Sequence, residues 1–419
     1  MNITFHGGAR EVGGSSIILE TSYCKVALDY GIKVEEGPRN NLPKELDAVI
    51  VTHAHLDHSG NLLTLADERV STIGSSATRD IVSDLLLDLL KVHRLNGKPL
   101  PYTTHDVDKI NRSWITQEQV GLPGMEIRLC PAGHVMGARM AHIKADGRSL
   151  LYTGDFCLHD TEILDGADIY TLPKEPDIMI MESTYGGIRR PSRDELVREL
   201  LKSILEAQER GGNILIPTFA FHRMQEMVRR IDLAIQEGLL LKYNAYYLSG
   251  LGEKITAYFN EHTEFLGKMV QDDPAPFRYS YVRHLKRAEQ IREPALVICT
   301  AGFGHAGFSR KLLFDWISDE DNAVIVSSGY IPKESPLSDA MEKDSIEDEG
   351  EKYPVRACVR QIELSGHADQ NELVEFVRRI RPEKTFLVHG DMQHAEALKE
   401  LLDPVTEVYI PSNGEQFTA

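Results

Sequence analysis

Short apolar runs that end in metal-binding or acid–base residue types recur along this chain. Ala48-Val49-Ile50-Val51 leads into Thr52-His53, Leu150-Leu151-Tyr152-Thr153 into Gly154-Asp155, Ile178-Met179-Ile180-Met181 into Glu182, and Thr385-Phe386-Leu387-Val388 into His389-Gly390. Continuous apolar runs of this length predict strands covered on both faces, and in layered α/β folds function collects at strand ends. The pattern predicts that His53, Asp155, Glu182 and His389 converge on one edge of a sheet core. Two more strand-like runs carry polar residues at their ends: 126–130 precedes Pro131-Ala132-Gly133-His134, and 25–28 precedes Asp29-Tyr30-Gly31. Taken alone, His134 divides evenly between ligand and loop histidine. Asp29 is either a turn-initiating aspartate or, the preferred reading, a carboxylate that fixes the ring of a ligand histidine.

The middle of the chain has a different period. Leu196, Val197, Leu200, Leu201, Ile204 and Leu205 form a helical stripe that Gly211-Gly212 stops. A strand at 214–216 follows, then a helix with Met224, Met227, Val228, Ile231 and Ile235 on one face, then strands at 295–299 and 323–327. This alternation predicts a smaller parallel-sheet domain. Because the donors begun before residue 187 are completed only by His367 and His389, the first domain is expected to be split around it. The cleft between the domains is the expected substrate site. The charged segment 341–350 reads as a solvated, mobile loop.

With 419 residues the chain exceeds one ordinary core, in keeping with two domains. Its formal charge of −18 is unfavourable for contact with phosphates, so a nucleic-acid enzyme would need a local basic funnel. Five scattered cysteines without a C-x-x-C pair read as reduced core thiols in a cytoplasmic protein. Neither a signal peptide nor a run of the ~18 apolar residues a membrane helix needs is visible, and no membrane partner is expected. No appended RNA-binding domain is expected at either end.

The densest chemistry is His53-Ala54-His55-Leu56-Asp57-His58, four donor residues within six positions directly after a strand-like run. Imidazole and carboxylate together suit Zn²⁺ and other borderline ions, which predicts a metal-dependent hydrolase. The ordered set Asp29, His53-Ala-His55-Leu-Asp57-His58, His134 and Asp155 resembles the metallo-β-lactamase superfamily. Glu182-Ser-Thr-Tyr-Gly186, Ser365-Gly-His367-Ala-Asp369 and Val388-His389-Gly390 resemble its β-CASP branch of nucleic-acid nucleases. Arg10-Glu11-Val12-Gly13-Gly14-Ser15 and 211–220, followed by Arg223 and Gln225-Glu226, are similar to the RNA-cleaving 3′-end processing members and their archaeal and bacterial relatives. The segment 301–310 departs from that pattern, which carries Gly-Met and a Gly-Gly pair there; the departure touches substrate contacts and spares the donor set.

The resemblance implies an α/β architecture: a metallo-β-lactamase αββα sandwich in two parts, 1–187 and 361–419, with an inserted parallel-sheet β-CASP domain at 188–360. It also implies that His53, His55, His134 and Asp155 hold one ion, and that Asp57, His58, Asp155 and His389 hold another, with Asp155 bridging. Two ions ~3.5–4 Å apart can produce a nucleophile from water at neutral pH and offset phosphodiester charge. Asp57 is thereby counted among the catalytic residues. His367 is the expected general acid and Glu182 its orienting carboxylate. Ser365 could bind a substrate phosphate or serve a turn, and Arg223 is the foremost of the basic candidates for RNA contact, ahead of Arg189, Arg190, Arg193, Arg310 and Lys311. The remaining histidines, His159 among them, are read as structural or surface.

The expected function is a two-zinc ribonuclease, with manganese as the other candidate ion, leaving 5′-phosphate and 3′-hydroxyl ends by internal cutting, 5′-to-3′ trimming or both. RNA is the expected partner, with a homodimer or an RNA-processing complex left open. A DNA-directed nuclease of the same branch and a non-catalytic processing scaffold are the alternatives. A scaffold should have lost donors, and every donor position here is filled.

Overall fold

The computed structural model describes residues 1–34, 36–329 and 331–418. They form two compact units, the first comprising Met1–Asp160, Leu164–Arg190 and Gly366–Ala419, the second Thr161–Ile163 and Pro191–Ser365.

Among the described residues the first unit is built on two seven-stranded sheets. One runs Gln416–Thr418, Asn2–Gly7, Ser16–Glu20, Lys25–Tyr30, Ala48–Ile50, Ser71–Ile73, Trp114–Ile115; the other Glu407–Tyr409, Lys384–Val388, Ile178–Glu182, Arg148–Tyr152, Arg139–Ala145, Met125–Pro131, Gln119–Leu122. Each sheet is half antiparallel and half parallel. Lys25–Tyr30, Ala48–Ile50 and Ser71–Ile73 pair in parallel, as do Arg148–Tyr152, Ile178–Glu182 and Lys384–Val388. Parallel pairing sends the C-terminal ends of neighbouring strands to the same edge. The register Tyr152↔Ile180↔Phe386 then brings Asp155, Glu182 and His389 to one rim.

Alternate residues of these strands meet in one core between the sheets, including Val26, Leu28, Ile50, Leu150, Tyr152, Ile180, Phe386 and Val388. The intervening Ala27, Val49, Leu151, Met179 and Leu387 are also fully buried. Burial on both faces is why the runs are apolar without alternation. At ~25 cal/mol per Å² of apolar area, each Leu or Ile buried this way stabilises by about 1.5–3 kcal/mol.

The second unit carries a six-stranded sheet in the order Val282–His284, Asn244–Leu248, Ala295–Cys299, Ile214–Pro217, Ala323–Val326, Cys358–Gln361, every described pairing parallel. Helices Arg193–Arg210 and Arg223–Gln236 cover one face, with Leu196, Leu200, Ile204, Met224, Met227, Val228 and Ile231 in its core. Helices Gly307–Trp316 and Pro336–Glu342 cover the other through Leu312, Leu313, Phe314, Trp316 and Leu337. The Arg193–Arg210 helix starts in a capping box between Ser192 and Glu195 and ends at Gly211, whose φ of 78° satisfies a left-handed C-cap. This is an α/β architecture of a sheet sandwich plus a doubly covered parallel sheet, as the alternating patterns predicted.

Segment 341–350 departs from its expected loop. Met341 lies in helix Pro336–Glu342, and Ser345–Asp348 pairs antiparallel with Glu351–Pro354. Ile346 is buried at 2% exposure, and the strands join through Glu349 and Gly350, with φ of 50° and 88°. A two-residue hairpin whose turn residues both take positive φ needs only one buried anchor and a glycine, which the surrounding charges concealed. Among the described residues no helix is long and apolar enough to cross a membrane.

Candidate metal centre

The site is built from strand ends. After Ala48–Ile50 the chain passes through Thr52 to His53 and enters the short helix Leu56–Ser59, which carries Asp57 and His58. His53 and His58 are fully buried, His55 and Asp57 partly. His53 Nε2 and His134 Nε2 lie 3.1 and 3.3 Å from His55 Nδ1, and the same two nitrogens lie 3.6 and 3.8 Å from Asp155 Oδ2. On the other side of Asp155, His58 Nε2 is 3.3 Å from Oδ2 and His389 Nδ1 is 3.4 Å from Oδ1. Asp57 Oδ2 is 3.3 Å from His389 Nε2 and 3.8 Å from His58 Nε2. Asp155 thus touches both a His53/His55/His134 group and an Asp57/His58/His389 group.

The rings of His58, His134 and His53 are each aimed by a partner on the far nitrogen. Asp29 faces His58 Nδ1 at 2.7 Å and accepts from Thr52 N at 2.7 Å and Tyr152 Oη at 2.7 Å, which leaves His58 Nε2 turned to the cluster. His134 Nδ1 lies 2.8 Å from the Gly366 carbonyl, and His53 Nδ1 3.1 Å from Thr52 Oγ1. Two of these strand-end residues take left-handed backbone: Asp29 has φ 55° and His389 φ 48°. Such conformations cost about 1–3 kcal/mol each and persist where neighbours enforce them. At His389 the backbone carbonyl accepts from Thr184 Oγ1 at 2.9 Å, and its N–H donates to Gly8 O at 2.6 Å. Gly31 is required for a different reason, since a Cβ there would meet Asp57 O at 1.7 Å. That close approach presses the loop after Asp29 against the donor helix.

The electrostatics differ across the cluster. Burial, with neighbouring histidines, pushes the His53 and His134 imidazoles well below the ordinary value, and burial takes His55 down to about 4. Burial also disfavours the His58 cation, but Asp155, Asp29 and Asp57 outweigh it and raise its pKa well above the ordinary value. For Asp155 burial favours the neutral acid, yet His389, His58 and His367 hold it well below the usual carboxylate range. Asp57 is depressed in the same way by His58 and His389 against its burial.

Beside the cluster, His367 Nδ1 lies 2.8 Å from Glu182 Oε2, and Glu182 Oε1 accepts from Phe156 N at 2.8 Å. Burial lowers the His367 pKa, but Glu182 and then Asp155 more than offset it, so the net shift is upward. The His367 carbonyl accepts from the Arg190 guanidinium, which also lies over the Tyr185 ring. Ser365 and Arg223 belong to the second unit. Ser365 is 9% exposed, and Arg223 is paired with the buried Glu226, which Arg193 also binds. Arg310 is likewise paired with Asp348 and Lys311 with Asp315 at 2.5 Å.

The donor set fits divalent ions. His58 Nε2 and Asp155 Oδ1 are buried and make no well-formed hydrogen bond among the described residues; their contacts are ion pairs within the cluster, at 3.3 Å to Asp155 Oδ2 and 3.4 Å to His389 Nδ1. Buried polar atoms left this way cost about 1–3 kcal/mol each unless something else satisfies them. A borderline ion bound by imidazole and carboxylate does so. The sequence did not single out Thr52, Tyr152 and Thr184, which aim the donors. Tyr152 sits inside an apolar run where only its hydroxyl hinted at a polar task, and Asp29 is 123 positions away.

Family profiles match in three stretches: the metallo-beta-lactamase superfamily over residues 26–218, the Beta-Casp domain over 224–335, and the Zn-dependent metallo-hydrolase RNA specificity domain over 352–411. The chain is 33% identical over 434 aligned residues to the transcription termination factor FttA of Methanothermobacter thermautotrophicus, covering 93% of this chain and 67% of that one. It is 28% identical to RNase aCSPSF2 of Saccharolobus solfataricus, covering 98% of this chain and 84% of that one. A crystal structure of a protein of unknown function from Enterococcus faecalis shares the fold at a TM-score of 0.61 and 17% identity, with 99% of each chain covered. With the donor-bearing rim, the inserted parallel sheet and these matches along nearly its whole length, the chain belongs to the metallo-β-lactamase superfamily, among its β-CASP ribonucleases.

Proposed function

We propose that this chain is a ribonuclease that uses two divalent ions, zinc in the first instance and manganese as the other candidate, to hydrolyse RNA to 5′-phosphate and 3′-hydroxyl ends. The observation that carries the reading is Asp155, which lies between the His53/His55/His134 group and the Asp57/His58/His389 group with one buried oxygen lacking a well-formed hydrogen bond. Two ions held there supply Lewis acidity, which makes water nucleophilic at neutral pH and offsets charge on the phosphodiester.

The remaining work falls to the protein. Asp29 keeps His58 in the tautomer that presents Nε2, with Thr52 and Tyr152 holding the carboxylate in place. Glu182 occupies His367 Nδ1 and favours the imidazolium, so Nε2 carries the proton that can be given up. Water gives up a proton to solvent as it adds to phosphorus, the bond to the 3′-oxygen breaks, and His367 protonates that oxygen as it leaves. Ser365 is a candidate phosphate contact. Arg223, tied to Glu226, reaches RNA only by sharing its guanidinium or changing partner. RNA is the substrate class that the relative named as an RNase supports. A cytoplasmic setting, a homodimer and an RNA-processing complex belong to the same proposal.

Polarity of cutting is tested with one RNA in two forms. A 3′-labelled 5′-monophosphate strand and the same sequence as a circle are incubated with zinc-loaded protein. Opening of the circle with additional shortening of the linear form from its 5′ end is the expected result. Stepwise loss from the linear form alone, with the circle intact, would overturn internal cutting.

A further inference from the structure

Two residues beyond Asp155 the chain places a second group of donors that the hydrolytic site does not use. Cys157 is fully buried, and its Sγ lies 3.2 Å from His159 Nδ1 and 3.3 Å from His159 Nε2. His159 Nδ1 is 3.0 Å from Glu372 Oε1. One donor atom from each of the three residues lies within 4.8 Å of the other two. His159 and Glu372 side chains retain 27% and 20% exposure, so the group has a polar side open to solvent.

The spacing is within reach of a metal site's. In the hydrolytic cluster, donors gathered around the proposed first ion stand 3.1–3.8 Å apart. The corresponding neighbours here stand 3.0–3.2 Å apart. A tetrahedral ion with bonds of 2.0–2.3 Å separates its ligands by about 3.3–3.8 Å, so small outward movements suffice. In the absence of an ion the Cys157 thiol can donate to the His159 carbonyl at 3.4 Å, and His159 Nδ1 pairs with Glu372, so the three donors are held together ready for one. Sγ is almost equidistant from the two ring nitrogens, so a modest turn of the His159 ring would aim either one at an ion shared with the sulfur.

We propose that Cys157, His159 and Glu372 form a further metal site, selective for a thiophilic borderline ion of the zinc class, with water as the fourth ligand. Thiolate, imidazole and carboxylate is a donor set that zinc accepts with one position open. On binding, the ion replaces the thiol proton, which leaves to solvent. The site has a structural consequence. Ala368 N donates to Phe156 O at 2.7 Å, and Glu372 caps the helix Gln370–Ile380 reciprocally with Asp369. An ion here would clamp the loop that follows Asp155 to the segment that follows His367.

Cobalt separates this site from the hydrolytic one, because the latter contains no sulfur. Protein stripped with a chelator and given Co²⁺ alone should show a thiolate-to-cobalt charge-transfer absorption in the near ultraviolet. That absorption should vanish in Cys157→Ser while the visible bands of the His/Asp cluster persist, and it should survive His55→Ala. After zinc reconstitution, Cys157→Ser and Glu372→Gln should each hold one ion per chain fewer than the parent. Absence of the charge-transfer band from the parent protein, a measurement that needs no variant, overturns the site. So does a band that survives Cys157→Ser, or unchanged zinc content in both variants. Loss of the visible bands alone would count against the hydrolytic cluster and leave this proposal standing.

Discussion

Both units bury carboxylates, and they treat them differently. In the second unit Glu226 is gripped by Arg193 and Arg223, which outweigh its burial and keep its pKa low. Asp232 there accepts from the N–H groups of Ser280, Tyr281 and Val282 at 3.1, 2.6 and 2.9 Å. Each is neutralised or satisfied by the protein alone. In the first unit Asp155 meets only histidines and keeps a buried oxygen without a well-formed hydrogen bond, while His58 keeps a nitrogen in the same state. Burial of charge is tolerated when it is paired, and costs several kcal/mol when it is not. The contrast marks Glu226 and Asp232 as structural, and the His/Asp cluster of the first unit as a set of donors with room for a cation.

The sharpest way to break that contrast is Asp155→Ala. It should abolish RNA cleavage and reduce metal content more than His55→Ala does, since it removes a donor from both proposed ions; elemental analysis of zinc-reconstituted proteins checks this. A parent protein that binds at most one ion would already break the binuclear reading.

A smaller effect is expected beside the cluster. His367→Ala should lower the single-turnover rate by ~10²–10⁴ with metal content and RNA affinity nearly unchanged, the range for a lost general acid. Glu182→Gln should shift the rate in the same direction by less. Loss of metal from His367→Ala would instead make that residue a ligand or a support.

The smallest effect tests the other half of the comparison. Glu226→Gln weakens two charge-assisted hydrogen bonds and should destabilise the protein by about 1–3 kcal/mol in denaturant unfolding. Zinc content should not change. A change in zinc content would show that the Glu226 pairing supports the metal cluster and is more than a local brace.

Much of this was legible in the chain. The apolar runs ending in His53, Asp155, Glu182 and His389 are strands at one rim, because both-face burial leaves continuous hydrophobic stretches and parallel pairing aligns their ends. The stripe of 196–205 and the stop at Gly211 are equally visible, since helix period and a left-handed C-cap are local properties. The Ser345–Pro354 hairpin was hidden because one buried isoleucine among charges leaves no periodic signal. The Cys157, His159 and Glu372 group was hidden for another reason: His159 and Glu372 are 213 positions apart and match no spacing.

By itself, then, the sequence determined which side chains end the strands and hence which donors reach the rim, because strand burial and local turn chemistry are written in neighbouring residues. Only the tertiary structure decided what each donor faces. Whether Asp155 meets histidines or guanidiniums, which nitrogen of His58 Asp29 occupies, and that Glu182 and His367 meet at 2.8 Å all depend on residues distant in the chain. Those encounters set the charge and orientation of every group, because electrostatic energy in a buried site is fixed by distances of a few ångströms that only chain closure brings about.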